Sequence, residues 1–377
     1  MRIGFMSDNI TVASGYGKVA KYLAEGLTER GFTVSQFALQ YAGRPIMVDD
    51  VKVYQGMSLS MLPNYFDEER PDVLIHLRDN WVFTSFFPNK YEIIKFVKWK
   101  GAKVVLYTPA GESPYPDEFI QPCREADLTL TTSNWSKRQL VSAGAPAERT
   151  DVLYHGVNTK VFEPNPGIDV ARLGFDPSAQ LIGMVGVNTV RKDFPRLLRA
   201  YARLTQERKV QLHLHTQPRR SDGFDLAVFL DQLGVKGRVS FPEPPVDAWW
   251  GTGEQGLSDI YNCMSVYVHC SKCEGFGLPL VEAMACGIPL VACDNTAIPE
   301  IIGDGGLLVP CPNVEYTNFG GNYWLADEQK LHDTILSVLE DSGLRKELSR
   351  RGVARARSPE FDWKNITERL VKILEGL

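Results

Sequence analysis

Strand and helix signals alternate along this chain from end to end, and the alternation restarts once. The first half reads as strand Arg2–Met6, helix Lys18–Arg30 and strand Thr33–Leu39, then a less regular stretch. Strand Asp72–Leu77, helix Tyr91–Lys100, strands Lys103–Thr108 and Leu128–Thr132, helix Trp135–Ala143 and strand Asp151–Tyr154 follow. The segment Glu163-Pro-Asn-Pro-Gly167 is polar and rich in breakers, and reads as a linker. The pattern then resumes with strand Leu181–Val187, helix Pro195–Gln206, strand Val210–Thr216, helix Leu226–Leu233, strand Arg238–Phe241 and helix Leu257–Cys263. Helices Asp327–Asp341 and Leu344–Ala356 and an amphipathic stretch Phe361–Leu377 close the chain. Such alternation predicts α/β domains built on parallel sheets. At 377 residues and 44% hydrophobic content the chain is long enough for two cores.

Charge and cysteine content narrow the class further. A formal net charge of −5 argues against general nucleic-acid binding. No apolar run approaches the ~20 residues needed to span a bilayer, and Asp8 interrupts the N-terminal apolar run too early for a signal peptide. Seven cysteines, an odd number, suggest reduced thiols and a cytoplasmic setting. Cys270-x2-Cys273 has the spacing of half a zinc knuckle but no second pair, so core packing is the expected role. Aromatic and basic residues mix in Trp81–Phe87 and Lys95–Lys100. Packing of a helix between two strands explains them most simply; peripheral contact with a membrane's lipid interface, or contact with an acceptor glycan, is the alternative.

The chemistry concentrates in Glu274-Gly-Phe-Gly-Leu-Pro-Leu-Val-Glu282. Ser265–His269 before it reads as a short buried strand. Gly275 and Gly277 permit a tight turn with bare amides, Pro279 suits a first helical turn, and Gly287 is a C-cap followed by Pro289. Amides at a helix start take anions, so phosphates are expected near Gly275, Phe276, Gly277 and Leu278. Glu274 precedes that turn and faces whatever the phosphate carries. Glu282 lies one turn into the helix, able to reach a neighbouring pair of hydroxyls. Arg191-Lys192 follows strand Leu181–Val187, where cations would neutralise a diphosphate. Charges of that sign oppose a helix dipole unless an anion is present.

This Glu-x7-Glu string with Gly-Phe-Gly-Leu-Pro inside it resembles the signature of retaining glycosyltransferases of family 4. The resemblance implies two Rossmann-like, doubly wound parallel-sheet domains facing a cleft, the GT-B architecture. They would span residues 1–166 on the acceptor side and 167–358 on the nucleotide-sugar side, with a C-terminal helix, 359–377, crossing back to the first domain. It implies a metal-independent retaining hexosyltransferase that needs no cofactor and takes a nucleotide diphosphate sugar as co-substrate. UDP-glucose-like and GDP-mannose-like donors lead, and the acceptor is a hydroxyl of a glycan, lipid or small molecule. Glu274, Arg191 and Lys192 are the expected catalytic set. Gly15, Gly17, Asn188, Gly275, Phe276, Gly277, Leu278 and Glu282 are the expected donor-binding set.

Gly15 and Gly17 sit in Ser14-Gly-Tyr-Gly-Lys18, where the family places a glycine-rich loop near donor phosphates and acceptor. Lys192 matches the family lysine, but the arginine position holds Val187, and Arg191 is the expected substitute. His155-Gly-Val-Asn158 resembles the family's hinge turn. Where members often have a histidine near the reacting carbon, this chain reads Tyr107-Thr-Pro-Ala-Gly-Glu112. Glu112, Asp79 and His76 are unassigned candidates there. His213 and His215 share a strand face and are expected to pack or to meet solvent, and Asp294–Glu300 to cap a helix near the sugar-phosphate. A nucleotide-sugar epimerase on the same fold, or a non-catalytic sugar-nucleotide-binding protein, remain as alternatives.

Overall fold

The computed structural model describes residues 1–82, 92–243 and 251–377. They fall into two compact units, Met1–Gly156 with Phe319–Gly321 and Glu360–Leu377, and Val157–Asn318 with Asn322–Pro359.

In the first unit the strands are β1 (Arg2–Asp8), β2 (Thr33–Leu39), β3 (Ile46–Val48), β4 (Val51–Gln55), β5 (Val73–Leu77), β6 (Lys103–Tyr107), β7 (Leu128–Thr131) and β8 (Thr150–Val152). They order as β3-β4-β2-β1-β5-β6-β7-β8, parallel except for the β3 edge. Helices α1 (Gly15–Thr28), α2 (Leu62–Glu69), α3 (Glu92–Trp99), α4 (Asp117–Glu125) and α5 (Asn134–Ser142) connect them. All five residues of β5 are buried, as expected of a parallel strand covered on both faces. The C-terminal helix Trp363–Glu375 lies on α1 so closely that a Cβ at Gly26 would meet Thr367 Oγ1 at 2.5 Å. Trp363 stacks on Tyr22, ring centroids 5.0 Å apart, and covers Gly156.

The second unit has β9 (Gln180–Val185), β10 (Val210–His215), β11 (Val239–Ser240), β12 (Val266–His269), β13 (Leu290–Asp294) and β14 (Leu307–Pro310), ordered β11-β10-β9-β12-β13-β14 and all parallel. Its helices are α6 (Phe194–Glu207), α7 (Leu226–Leu233), α8 (Gly253–Asn262), α9 (Leu278–Ala285), α10 (Ile298–Ile302), α11 (Glu328–Glu340) and α12 (Ser342–Ala356). An antiparallel hairpin, β15 (Asn313–Tyr316) and β16 (Asn322–Leu325), is separate from the sheet.

The expected 166/167 boundary falls instead at Gly156/Val157. Residues 161–165 are fastened to α8: Ser258 Oγ donates to Val161 O at 2.7 Å, and Asn262 bonds both Glu163 O and Asn165 N. The breakers there bend the chain but do not separate it from the second unit. The irregular stretch after β2 contains β3, β4 and α2. The aromatic–basic segment Trp81–Phe87 lies, from residue 83 on, outside the described residues, as does the expected helix start at Tyr91. In α3, Lys98 pairs with Asp127 at 3.6 Å and Trp99 is exposed, and Lys100 just past the helix pairs with Asp67 at 2.5 Å. Among the described residues no helix is long and apolar enough to cross a membrane.

Candidate functional site

In the second sheet β10 and β11 grow from one side of β9, and β12, β13 and β14 from the other. Strand order therefore reverses between β9 and β12, the place where doubly wound sheets open a crevice beyond their carboxyl ends. Two loops meet there. After β9 the chain makes a single 3-10 turn, Val190–Lys192, and enters α6. After β12 it runs through residues 270–277 into α9, whose N-cap, Gly277, has φ +91°. That left-handed conformation is the one glycine adopts without strain. A Cβ there would also meet Leu280 at 2.7 Å.

The two loops join at Glu274. Its Oε1 accepts from Lys192 Nζ at 2.5 Å and from His269 Nε2–H at 2.9 Å, and its Oε2 pairs with Arg191 Nη1 at 2.9 Å. Arg191 also donates to Cys273 O at 2.8 Å, and Lys272 N to Arg191 O at 2.8 Å. The Glu274 backbone is pinned from the far side: its N–H donates to Thr296 Oγ1 at 2.9 Å, and Ala297 N to its carbonyl at 3.3 Å. Thr296 holds φ +49°, and Asn295 Nδ2 ties the same turn to Ser271 O. The Asp294–Glu300 segment is thus a brace under the carboxylate.

Electrostatics follow from burial. Burial alone would raise the Glu274 carboxyl, yet Arg191 and Lys192, with the His269 hydrogen bond, outweigh it and hold the acid well below its usual range. Burial pushes the Lys192 ammonium down against the pull of Glu274. The Arg191 guanidinium is held above its ordinary value, Glu274 outweighing desolvation. Burial keeps His269 neutral, lowering it despite the bond to Glu274. Two cations and one carboxylate leave one positive charge. Lys192 and Glu274 are almost fully buried, whereas the Arg191 side chain is 36% exposed. The basic pair that opposes the α6 dipole has its anion within the chain, in Glu274. A carboxylate offers about four lone-pair sites; among the described residues three are occupied, and the fourth is on Oε2.

The remaining expected residues divide. Gly275, Phe276 and Gly277 form the buried turn and Leu278 opens α9. Glu282 is buried in α9 and accepts from Tyr261 Oη at 3.0 Å. Asn188 requires correction. Its amide donates to Gln217 O and Phe224 O and accepts from Phe224 N, and it is fully buried. It braces the loop after β10 rather than presenting an amide to a donor. Gly15 and Gly17 belong to the first unit. Gly15 is exposed, but the Gly17 amide is taken by Ser14 Oγ at 3.0 Å, and a Cβ there would meet Asn9 O and Val12 O at 2.7 Å. Gly17 therefore serves the close approach of α1 to the loop after β1.

His213 and His215 are packed. They link Ser240 to Thr252 through a 3.3 Å contact between their rings. Burial pushes His213 to about 3 and His215 to about 4. His155 bonds Tyr107 Oη at 3.0 Å, and burial pushes it to about 3. None of the seven cysteines forms a disulfide, and Cys270 and Cys273 are buried. The first sheet has its own reversal, between β1 and β5. There Asp8 accepts from Ser14 Oγ at 2.6 Å and pairs with Arg78 at 2.5 Å, and Arg78 lies over the Tyr16 ring. Sequence reasoning missed His269, Thr296 and Lys272; the legible sign of the first was a polar residue ending an apolar strand.

Residues 179–341 match the family model described as Glycosyl transferases group 1. That match lies almost wholly within the second unit and takes in the loops that carry Arg191, Lys192 and Glu274. O-antigen chain mannosyltransferase B of Escherichia coli is 27% identical over 272 residues, 70% of this chain and 65% of that one. A D-inositol 3-phosphate glycosyltransferase of Mycobacterium sp. (strain KMS) is 31% identical over 201 residues, 52% of this chain and 44% of that one. The chain thus matches about half to two thirds of the length of these relatives. Sucrose-phosphate synthase from Thermosynechococcus elongatus superposes with a TM-score of 0.80 at 19% identity, covering 100% of this chain and 98% of that one. HepE of Anabaena, solved in complex with UDP-glucose, gives 0.77 at 18% identity, covering both chains fully. The chain therefore has the GT-B fold that its signature implied, two Rossmann-like units on parallel sheets.

Proposed function

We propose that this protein is a retaining, metal-independent glycosyltransferase that moves a hexose from a nucleotide diphosphate sugar to a hydroxyl of a glycan, lipid or small molecule. The observation that carries the reading is the joining of Arg191, Lys192 and Glu274 at the strand-order reversal, beside the amides that open α9. A departing diphosphate gathers negative charge. Arg191, Lys192 and the amides of residues 275–278 offset it, each donor lowering the barrier by roughly 3 kcal/mol. The open lone pair of Glu274 Oε2 accepts a sugar hydroxyl and steers the anomeric carbon toward the acceptor. Glu282, held by Tyr261, is the candidate for the ribose hydroxyls. The acceptor hydroxyl attacks the face that the leaving group departs from.

The relatives' names, a mannosyltransferase and an inositol-phosphate glycosyltransferase, support sugar transfer to a hydroxyl. UDP-glucose-like and GDP-mannose-like donors stay the leading pair. Thermal-shift screening against a panel of nucleotide sugars tests the reading, because a bound donor raises the melting temperature. Stabilisation by one base and one sugar above the rest is expected, followed by mass-spectrometric detection of transferred hexose. Absence of stabilisation by every nucleotide sugar would refute it.

A further inference from the structure

Three donors converge on Glu274, and they do not face the same competition. Arg191 is partly exposed and Lys192 almost fully buried beside the proposed anion site, whereas His269 on β12 has no exposure at all. A carboxylate can only accept, so the 2.9 Å contact to Oε1 places the imidazole proton on Nε2. His269 Nδ1 must then accept, and Tyr267 Oη lies 3.0 Å from it on the same strand face, itself fully buried, with Val185 O at 3.3 Å as the more distant alternative acceptor of its one proton. The row Tyr267–His269–Glu274 is thus a directed chain of hydrogen bonds with one tautomer consistent with it.

We propose that His269 is a positioning residue that keeps Glu274 in place when a diphosphate draws Lys192 and Arg191 away. This rests on the functional reading above. A phosphate oxygen competes for both cations, and a buried carboxylate stripped of them would lose its orientation along with its partners. His269 cannot be drawn off, because it has no path to the ligand and its other nitrogen is anchored. It maintains Oε1 through the reaction and leaves Oε2 to the sugar. Tyr267 sets the tautomer.

The test compares His269→Leu, His269→Gln and Tyr267→Phe in the full chain. His269→Leu should lower kcat by ~10- to 100-fold, the range of a hydrogen bond to a charged group, with donor KM within about twofold. His269→Gln keeps an N–H donor and should recover most of kcat. A merely structural role would lower the melting temperature in both and move kcat in neither preferentially. Nitrogen-15 histidine NMR of the wild type at pH 7.5, with and without saturating UDP, should show the Nε2–H tautomer at His269 in both states. An Nδ1–H tautomer, or wild-type kcat in His269→Leu, overturns the inference. Failure of wild-type protein to bind any nucleotide sugar is a separate result, and it refutes the functional reading rather than the Glu274–His269 pair.

Discussion

At the carboxyl ends of β1 and β5 the first unit sets Asp8 against Arg78, with Ser14 as a further partner. At the carboxyl ends of β9 and β12 the second unit sets Glu274 against Arg191 and Lys192. Both places are strand-order reversals in parallel sheets, so the architecture offers a crevice at each. The charge balance differs. Asp8 is answered by one guanidinium and a hydroxyl, which leaves no net charge. Glu274 is shared by two cations and a neutral imidazole, which leaves a positive charge and one open acceptor site. One fold used twice therefore does not mean one ligand twice, and our proposal places the diphosphate at the second reversal, where the net charge is positive.

The largest effect that could break this contrast is at Glu274. Glu274→Ala should cost ~10²- to 10³-fold in kcat, while nucleotide binding measured by calorimetry persists, since both cations remain. Full activity in that variant would remove the carboxylate from the mechanism. Next, Arg191→Ala with Lys192→Ala should weaken nucleotide diphosphate affinity by ~10-fold or more per lost charge-assisted bond. Equal affinity would reject the phosphate site. Asp8→Asn sharpens the contrast from the other side and belongs at the end of the scale: nucleotide affinity should stay within about twofold.

Between these lies a pH effect that both units share. Burial lowers His76, with help from Arg78, and His155 in the first unit to about 3 each; it lowers His213 to about 3 and His215 to about 4 in the second. Their folded values lie below the unfolded value near 6.5, so the unfolded chain binds more protons on acidification. Their contribution is complete above pH 6.5 and is lost as pH falls below it, at up to about 1.4 kcal/mol per residue per pH unit. Melting temperature should drop between pH 7.5 and 5.5; a flat profile would contradict the buried neutral assignment. Smaller again is Gly156→Ala. Its Cβ would lie 2.6 Å from the Trp363 ring, and overpacking should cost about 1–3 kcal/mol. A lower melting temperature with unchanged nucleotide affinity is expected.

Much of this was legible in the sequence, for reasons that particular residues make plain. Gly277, Pro279 and Gly287 marked the turn, start and stop of α9, because each has a backbone requirement that few other residues meet. β2 and α7 run over the expected residues, since their apolar patterning and flanking breakers were unambiguous. What stayed hidden needed topology. Arg191 and Glu274 are far apart in sequence, and only the reversal that makes β12 a neighbour of β9 brings their loops together. Asn188 sits beside the basic pair in sequence, but nothing local announced that the loop after β10 would consume its amide. His269 was concealed by its strand: among Val266, Tyr267 and Val268 it passed for one more buried residue. The hairpin β15–β16 left no sign, as all its residues are exposed or partly so and show no alternation.

The most direct test of the central claim is a crystal of the full chain grown with UDP-glucose or GDP-mannose. The account predicts the diphosphate within hydrogen-bond distance of Arg191, Lys192 and the amides of residues 275–278, and a hexose hydroxyl on Glu274 Oε2. A diphosphate seated instead beside Asp8 and Arg78, with the Glu274 site free of ligand, would contradict it.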